Sequence, residues 1–146
     1  MHTEHLENVR PSWVAFGWFI GVAVMSAVIF GLIAIGFVPR TGEIGLGWVL
    51  LAVFVGFLVG GYLTGIRVRA APILHAVGIG LFSVLVWFVA NLVAGETLNA
   101  SEWQVPPASA AGAVLFQVIA AAIGASIATR EARAATAPAA GTRRGP

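Results

Sequence analysis

The sequence predicts an all-α membrane protein, four transmembrane helices in an antiparallel bundle with both termini cytoplasmic. Three observations carry this expectation. Of 146 residues, 59% are hydrophobic and only 10% are charged, against roughly 25% charged in soluble domains. Mean hydropathy is +0.93, which leaves too little polar surface to solvate a globule of this size. Four apolar runs, each close to the ~20 residues that a ~30 Å hydrocarbon core demands of a helix, follow one another along the chain.

The runs cover 13–37, 46–66, 73–94 and 108–129, and none holds an aspartate, glutamate, lysine or arginine. Unpaired backbone groups in hydrocarbon cost several kcal/mol each, so runs of this length read as helices. The first is too long for a signal core, and the segment before it carries Glu4 and Glu7 with only Arg10, so it reads as a retained span. Val38-Pro39-Arg40-Thr41-Gly42 breaks the chain before the second run. Ala71-Pro72 separates the second from the third, and Pro106-Pro107 opens the fourth, where a missing N–H is tolerated. Residues 1–12 are expected as a cytoplasmic segment and 130–146, rich in alanine, glycine and proline, as a disordered cytoplasmic tail.

Orientation follows from the arginines, the sole basic residues besides histidine. Arg10, Arg67, Arg69, Arg130, Arg133, Arg143 and Arg144 fall on one side of the predicted spans, and Arg40 alone on the other. Seven against one is a marked positive-inside bias. The loop between the third and fourth spans carries Glu96 and Glu102 and no arginine, which agrees. Trp13, Trp48 and Trp103 fall near span ends, where an amphipathic indole anchors at headgroup level; Trp18 lies deeper.

Composition excludes much chemistry. With no cysteine and no aspartate, disulfides, thiolate metal sites, a cysteine nucleophile and a serine–histidine–aspartate set are all ruled out. No glycine-rich loop ends in a lysine, and no carboxylates pair within a span. The pI near 10.5 rests on arginines dispersed at helix ends and makes no nucleic-acid footprint. His2 and His5 sit in a terminal segment without partner ligands, so neither metal nor cofactor is expected. Asn99-Ala100-Ser101 has the form of a glycosylation acceptor, while the arginine-only, alanine-rich composition has the character of a GC-rich bacterial gene. The expected location is the bacterial cytoplasmic (inner) membrane. Small multidrug exporters, also four-span, need a glutamate in the first span, and this chain has none there.

The most informative local pattern is Gly56-Phe57-Leu58-Val59-Gly60-Gly61-Tyr62-Leu63-Thr64-Gly65, with Gly56 four residues before Gly60 and Gly61 four before Gly65. Glycines at that spacing flatten one stripe of a helix and admit a second backbone, which makes span two the expected packing hub. Ala120, Gly124 and Ala128 form a similar stripe on span four, and Gly17 with Gly21 on span one. Packing within the monomer is favoured over packing between copies. The segment Gly61–Arg67 is echoed at Gly124–Arg130, each preceded by a phenylalanine about two turns earlier, Phe54 and Phe116.

The run Gly60-Gly61-Tyr62-Leu63-Thr64-Gly65-Ile66-Arg67, a short turn, and Leu74-His75-Ala76-Val77-Gly78 resembles uncharacterised small four-span bacterial membrane proteins of the YrzE-like kind. The resemblance covers the middle third of the chain, and His75 stands apart from Gly78 where the group joins a histidine to a glycine. It implies four spans and an inner-membrane location and brings no activity.

Few polar residues fall inside the spans. Tyr62 and His75 are expected near the cytoplasmic end on neighbouring antiparallel helices, with His75 bonding Tyr62, Thr64 or a free carbonyl at the end of span two. Ser26, Ser83, Asn91, Gln117 and Ser126 lie deeper, and Gln117, near the middle of span four, must find a partner. The functional expectation is a non-enzymatic structural or accessory subunit packing through glycine-rich faces. The alternative is a small, dimeric channel or permease with a polar path lined by Gln117, Asn91 and His75, joined by Tyr62. Expected partners are the lipid bilayer and either a second copy or another membrane protein.

Overall fold

A computed structural model describes residues 9–39, 44–68, 71–97 and 107–136. Among these the chain forms four helices and no strand: α1 (Pro11–Ala34), α2 (Leu46–Val68), α3 (Pro72–Thr97) and α4 (Pro107–Thr136). Each is long and apolar enough to cross a membrane, so the chain is a multi-pass membrane protein. Arg40, Arg69, Glu102 and Trp103 lie outside the described residues.

Helix ends depart from expectation for local reasons. α1 stops at Ala34 rather than at Phe37 because Gly36 adopts φ +81°. The Phe37 N–H donates to Leu32 O at 2.9 Å and Gly36 N–H to Ile33 O at 3.2 Å, the paired bonds of a glycine-terminated helix. α4 runs through Arg130 to Thr136, so residues 130–136 are helical where a disordered tail was expected; alanine, arginine and glutamate there are good helix formers. Residues 137–146 lie outside the described part.

The helices stand in the order α1, α2, α4, α3 around the bundle, with the α1–α2 and α2–α4 interfaces the most extensive and α2–α3 slight. Consecutive helices run antiparallel, which makes the side-by-side pairs α1–α3 and α2–α4 parallel. The expectation that spans two and three are neighbours is therefore corrected: they face each other across the bundle.

Glycine explains this arrangement. A side-chain carbon on Gly56 would strike the Gly21 carbonyl oxygen, and one on Gly60 the Gly17 carbonyl oxygen, so this stripe of α2 lies against α1. One on Gly61 would strike Ala121 O, one on Gly65 would lie 2.9 Å from Ala125 Cα, and one on Gly124 would strike Leu58 O. The second stripe of α2 thus lies against α4. Two glycine pairs offset by one residue face different sides of a helix, and both sides are used within one chain. Phe57, with 1% exposure, and Ile79, with none, fill the centre beside Ala76, Ala120 and Ala121. Phe54 and Phe116, the matching aromatics of α2 and α4, lie with ring centroids 6.0 Å apart.

Candidate functional site

Two of the buried polar side chains, Thr64 and His75, lie toward the end carrying Arg10, Arg67 and Arg130. His75, one turn into α3, is 1% exposed. Its Nδ1 lies 2.9 Å from Ala71 O, and Arg10 N–H donates to its Nε2 over 3.2 Å. A carbonyl partner requires a proton on Nδ1 and an N–H partner requires a lone pair on Nε2, so the partners assign the tautomer. Arg10 precedes Pro11 at the start of α1 and has no side-chain cap of its own; the imidazole of α3 satisfies its N–H. Ala71, before Pro72, holds φ +51°, a conformation that L-residues with side chains adopt at a cost of about 1–2 kcal/mol. Both the backbone N–H and the ring of His75 bond its carbonyl, fixing the turn.

Of the three expected kinds of partner His75 takes a carbonyl, that of Ala71 in the turn after α2, and neither side chain, Tyr62 nor Thr64. Thr64, buried at 1% exposure, donates to Gly60 O at 2.8 Å, with Trp13 O at 3.5 Å beyond it. Tyr62 looks to α4, its hydroxyl 2.7 Å from Glu131 Oε2. The cause is the helix order, since α4 takes the place beside α2 that α3 was expected to hold.

One deeper hydrogen bond joins α1 to α3. Trp18 Nε1–H donates to Ser83 Oγ at 2.8 Å, and Ser83 in turn donates to Ile79 O at 3.2 Å. Phe82 packs against the same indole with centroids 5.3 Å apart. Such interhelical bonds contribute about 0.6 kcal/mol in membranes. Trp18 and Ser83 were visible in the sequence as single residues; depth signalled that the indole N–H must find an acceptor, not that Ser83 supplies it.

Asn91 and Gln117 do not join this group. Asn91 is exposed and donates to its own Trp87 O at 2.8 Å. Sixteen residues along α3 separate it from His75, about 24 Å of helix. Gln117 is half-buried, and its Oε1 is fully enclosed with no hydrogen-bond partner. Buried acceptors without donors cost about 1–3 kcal/mol. Gln117→Met, which keeps the length and removes the amide, is therefore expected to leave thermal stability in detergent unchanged or raise it by about 1 kcal/mol. A clear loss would mean that the amide is bonded in the folded protein.

Of the arginines singled out for topology, Arg67, Arg130 and Arg133 are exposed at the same end of the bundle; Arg69 lies outside the described residues. Among the described residues no three histidine or carboxylate side chains converge as metal ligands. Comparison of the chain with protein families, curated proteins and solved structures finds no match.

Proposed function

We propose that the chain is a non-enzymatic accessory subunit of the bacterial inner membrane, packed internally through its glycine faces and presenting α3 to a partner membrane protein. The observation that carries this reading is the outer half of α3. From Val84 to Val93 every residue except the half-buried Val86 is exposed, Leu85, Phe88, Val89 and Leu92 by half or more. On this half-helix Val86 alone is partly covered. The glycine stripes of α2, by contrast, are occupied by α1 and α4, which leaves them unavailable to a partner.

A photo-crosslinking residue in place of Phe88 is expected to capture a discrete membrane protein in native membranes, while one in place of Phe19 on the outside of α1, 62% exposed, captures lipid alone. Equal lipid labelling at both positions would reject the reading. Absence of aspartate and cysteine from the sequence supports the non-enzymatic part.

The competing reading is a small channel or permease, and the unbonded oxygen of Gln117 favours it. Reconstituted vesicles discriminate: an accessory subunit shows the same solute and proton leak with Gln117→Met as without it, whereas a path lined by Gln117 loses flux while the protein stays folded.

The orientation proposed is N-in and C-in, supported by the arginine bias. A reporter fused after Pro146 is expected to register as cytoplasmic and one placed between Glu96 and Glu102 as external; the reverse pattern would invert the bundle.

A further inference from the structure

At the arginine-bearing end, α1 and α3 do not meet flush on the side facing lipid. Between Val9, Pro11 and Val14 on one side and Leu81, Phe82 and Leu85 on the other lies an open groove with about 300 Å3 of unfilled space. Its walls are almost wholly apolar, and Gly78 contributes no side chain to fill it. On α3 the lining runs from Gly78 to Leu85, seven residues or about 10 Å of helix, a stretch comparable with part of one leaflet.

Arg10 stands at its mouth, between the lining residues Val9 and Pro11. Its side chain is exposed, and among the described residues no carboxylate pairs with it. Its backbone is not free to move away from the groove, because its N–H is held by the buried His75 of α3. An exposed arginine whose backbone is tied to α3 beside an apolar groove has the layout of one molecule, a phosphate above and an acyl chain below. We infer that the α1–α3 groove binds a single anionic phospholipid, its phosphate on Arg10 and one acyl chain between Val14 and Leu81.

The slot decides against the alternatives. A partner helix is about 10–12 Å across and could place only single side chains in about 300 Å3. A soluble phosphate would use the arginine and gain nothing from the apolar walls. A guanidinium offers a planar fork that matches phosphate geometry, and an anionic surface lipid is favoured over a neutral one by about 1 kcal/mol for each arginine near it. That corresponds to roughly a fivefold preference from Arg10 alone.

The full-length chain in detergent tests this, with bound lipid counted by native mass spectrometry while phosphatidylglycerol, phosphatidylcholine of the same acyl chains, or glycerol phosphate is added. The expected result is one tightly held phosphatidylglycerol. Arg10→Gln should weaken it roughly fivefold relative to phosphatidylcholine, and Leu81→Trp should weaken both. Leu81 is 65% exposed and Arg10 is exposed, so both variants should melt as the parent does in lipid-free detergent. The proposal is overturned if Arg10→Gln keeps the full preference, if Leu81→Trp binds both lipids as before, or if glycerol phosphate binds as tightly as the lipid. Loss of the preference in Arg133→Gln instead would place the lipid in the shallow groove that Arg133 and Thr129 form with Pro72, and would equally overturn it.

Discussion

Gly61→Leu is expected to abolish the native bundle in detergent, seen as loss of a cooperative thermal transition and of a monodisperse peak in gel filtration. A side-chain carbon at this position meets the carbonyl oxygen of Ala121, with Ala121 Cα at 2.6 Å and its carbonyl carbon at 2.7 Å. Every neighbour is backbone, so no rotamer change relieves the clash, and α2 must part from α4. Even Gly61→Ala should cost about 1–3 kcal/mol, the usual range for overpacking a filled interior. Gly47, where nothing lies within 4 Å of the added carbon, provides the control: Gly47→Ala should melt as the parent does. A fully stable Gly61→Leu would mean that the α2–α4 contact is not what holds the bundle.

The second large effect is expected at His75. His75→Ala opens a cavity in a buried site and leaves the part-buried Arg10 N–H without its acceptor; large-to-small core changes cost about 2–5 kcal/mol and a lost hydrogen bond about 0.5–1.5 kcal/mol. Destabilisation of about 3 kcal/mol or more is the expected reading from reversible unfolding in mixed micelles. His75→Gln, whose amide oxygen can accept from Arg10, should recover part of the loss. A variant that folds as the parent does but changes proton flux would instead assign the histidine to a transport path.

Much of the architecture was legible in the chain because hydrocarbon imposes a simple rule. Length and apolarity set the four helices, and the paired glycines at 56, 60, 61 and 65 marked α2 as the helix that others approach. Their one-residue offset even held the information that two partners are approached. The sequence did not disclose which partners. Connection by the short turn at Ala71 suggested α3, and the small-residue stripe Ala121, Gly124 and Ala125 of α4 won that place by fitting more closely. From that one change follow the unexpected bonds of Tyr62 to Glu131 and of His75 to Arg10.

Helix ends were harder to read, for reasons that hydropathy does not register. Ile35 and Phe37 are as apolar as the residues before them, yet the left-handed Gly36 between them ends α1. In α4 the chain turns polar at Arg130 and helix continues, since leaving the hydrocarbon does not require leaving the helix. The Trp18–Ser83 bond needed the parallel α1–α3 pairing to be known first.

The close seat of α4 on α2 bears on biogenesis. During synthesis α1 can dock on its side of α2 as soon as the first hairpin is inserted, whereas Gly61 and Gly65 wait for a segment that emerges more than forty residues later. Until then a flat, adhesive strip faces the bilayer. A ribosome stalled before residue 107 would strand the nascent chain with that strip bare, ready to seize the corresponding helix of a sibling polypeptide.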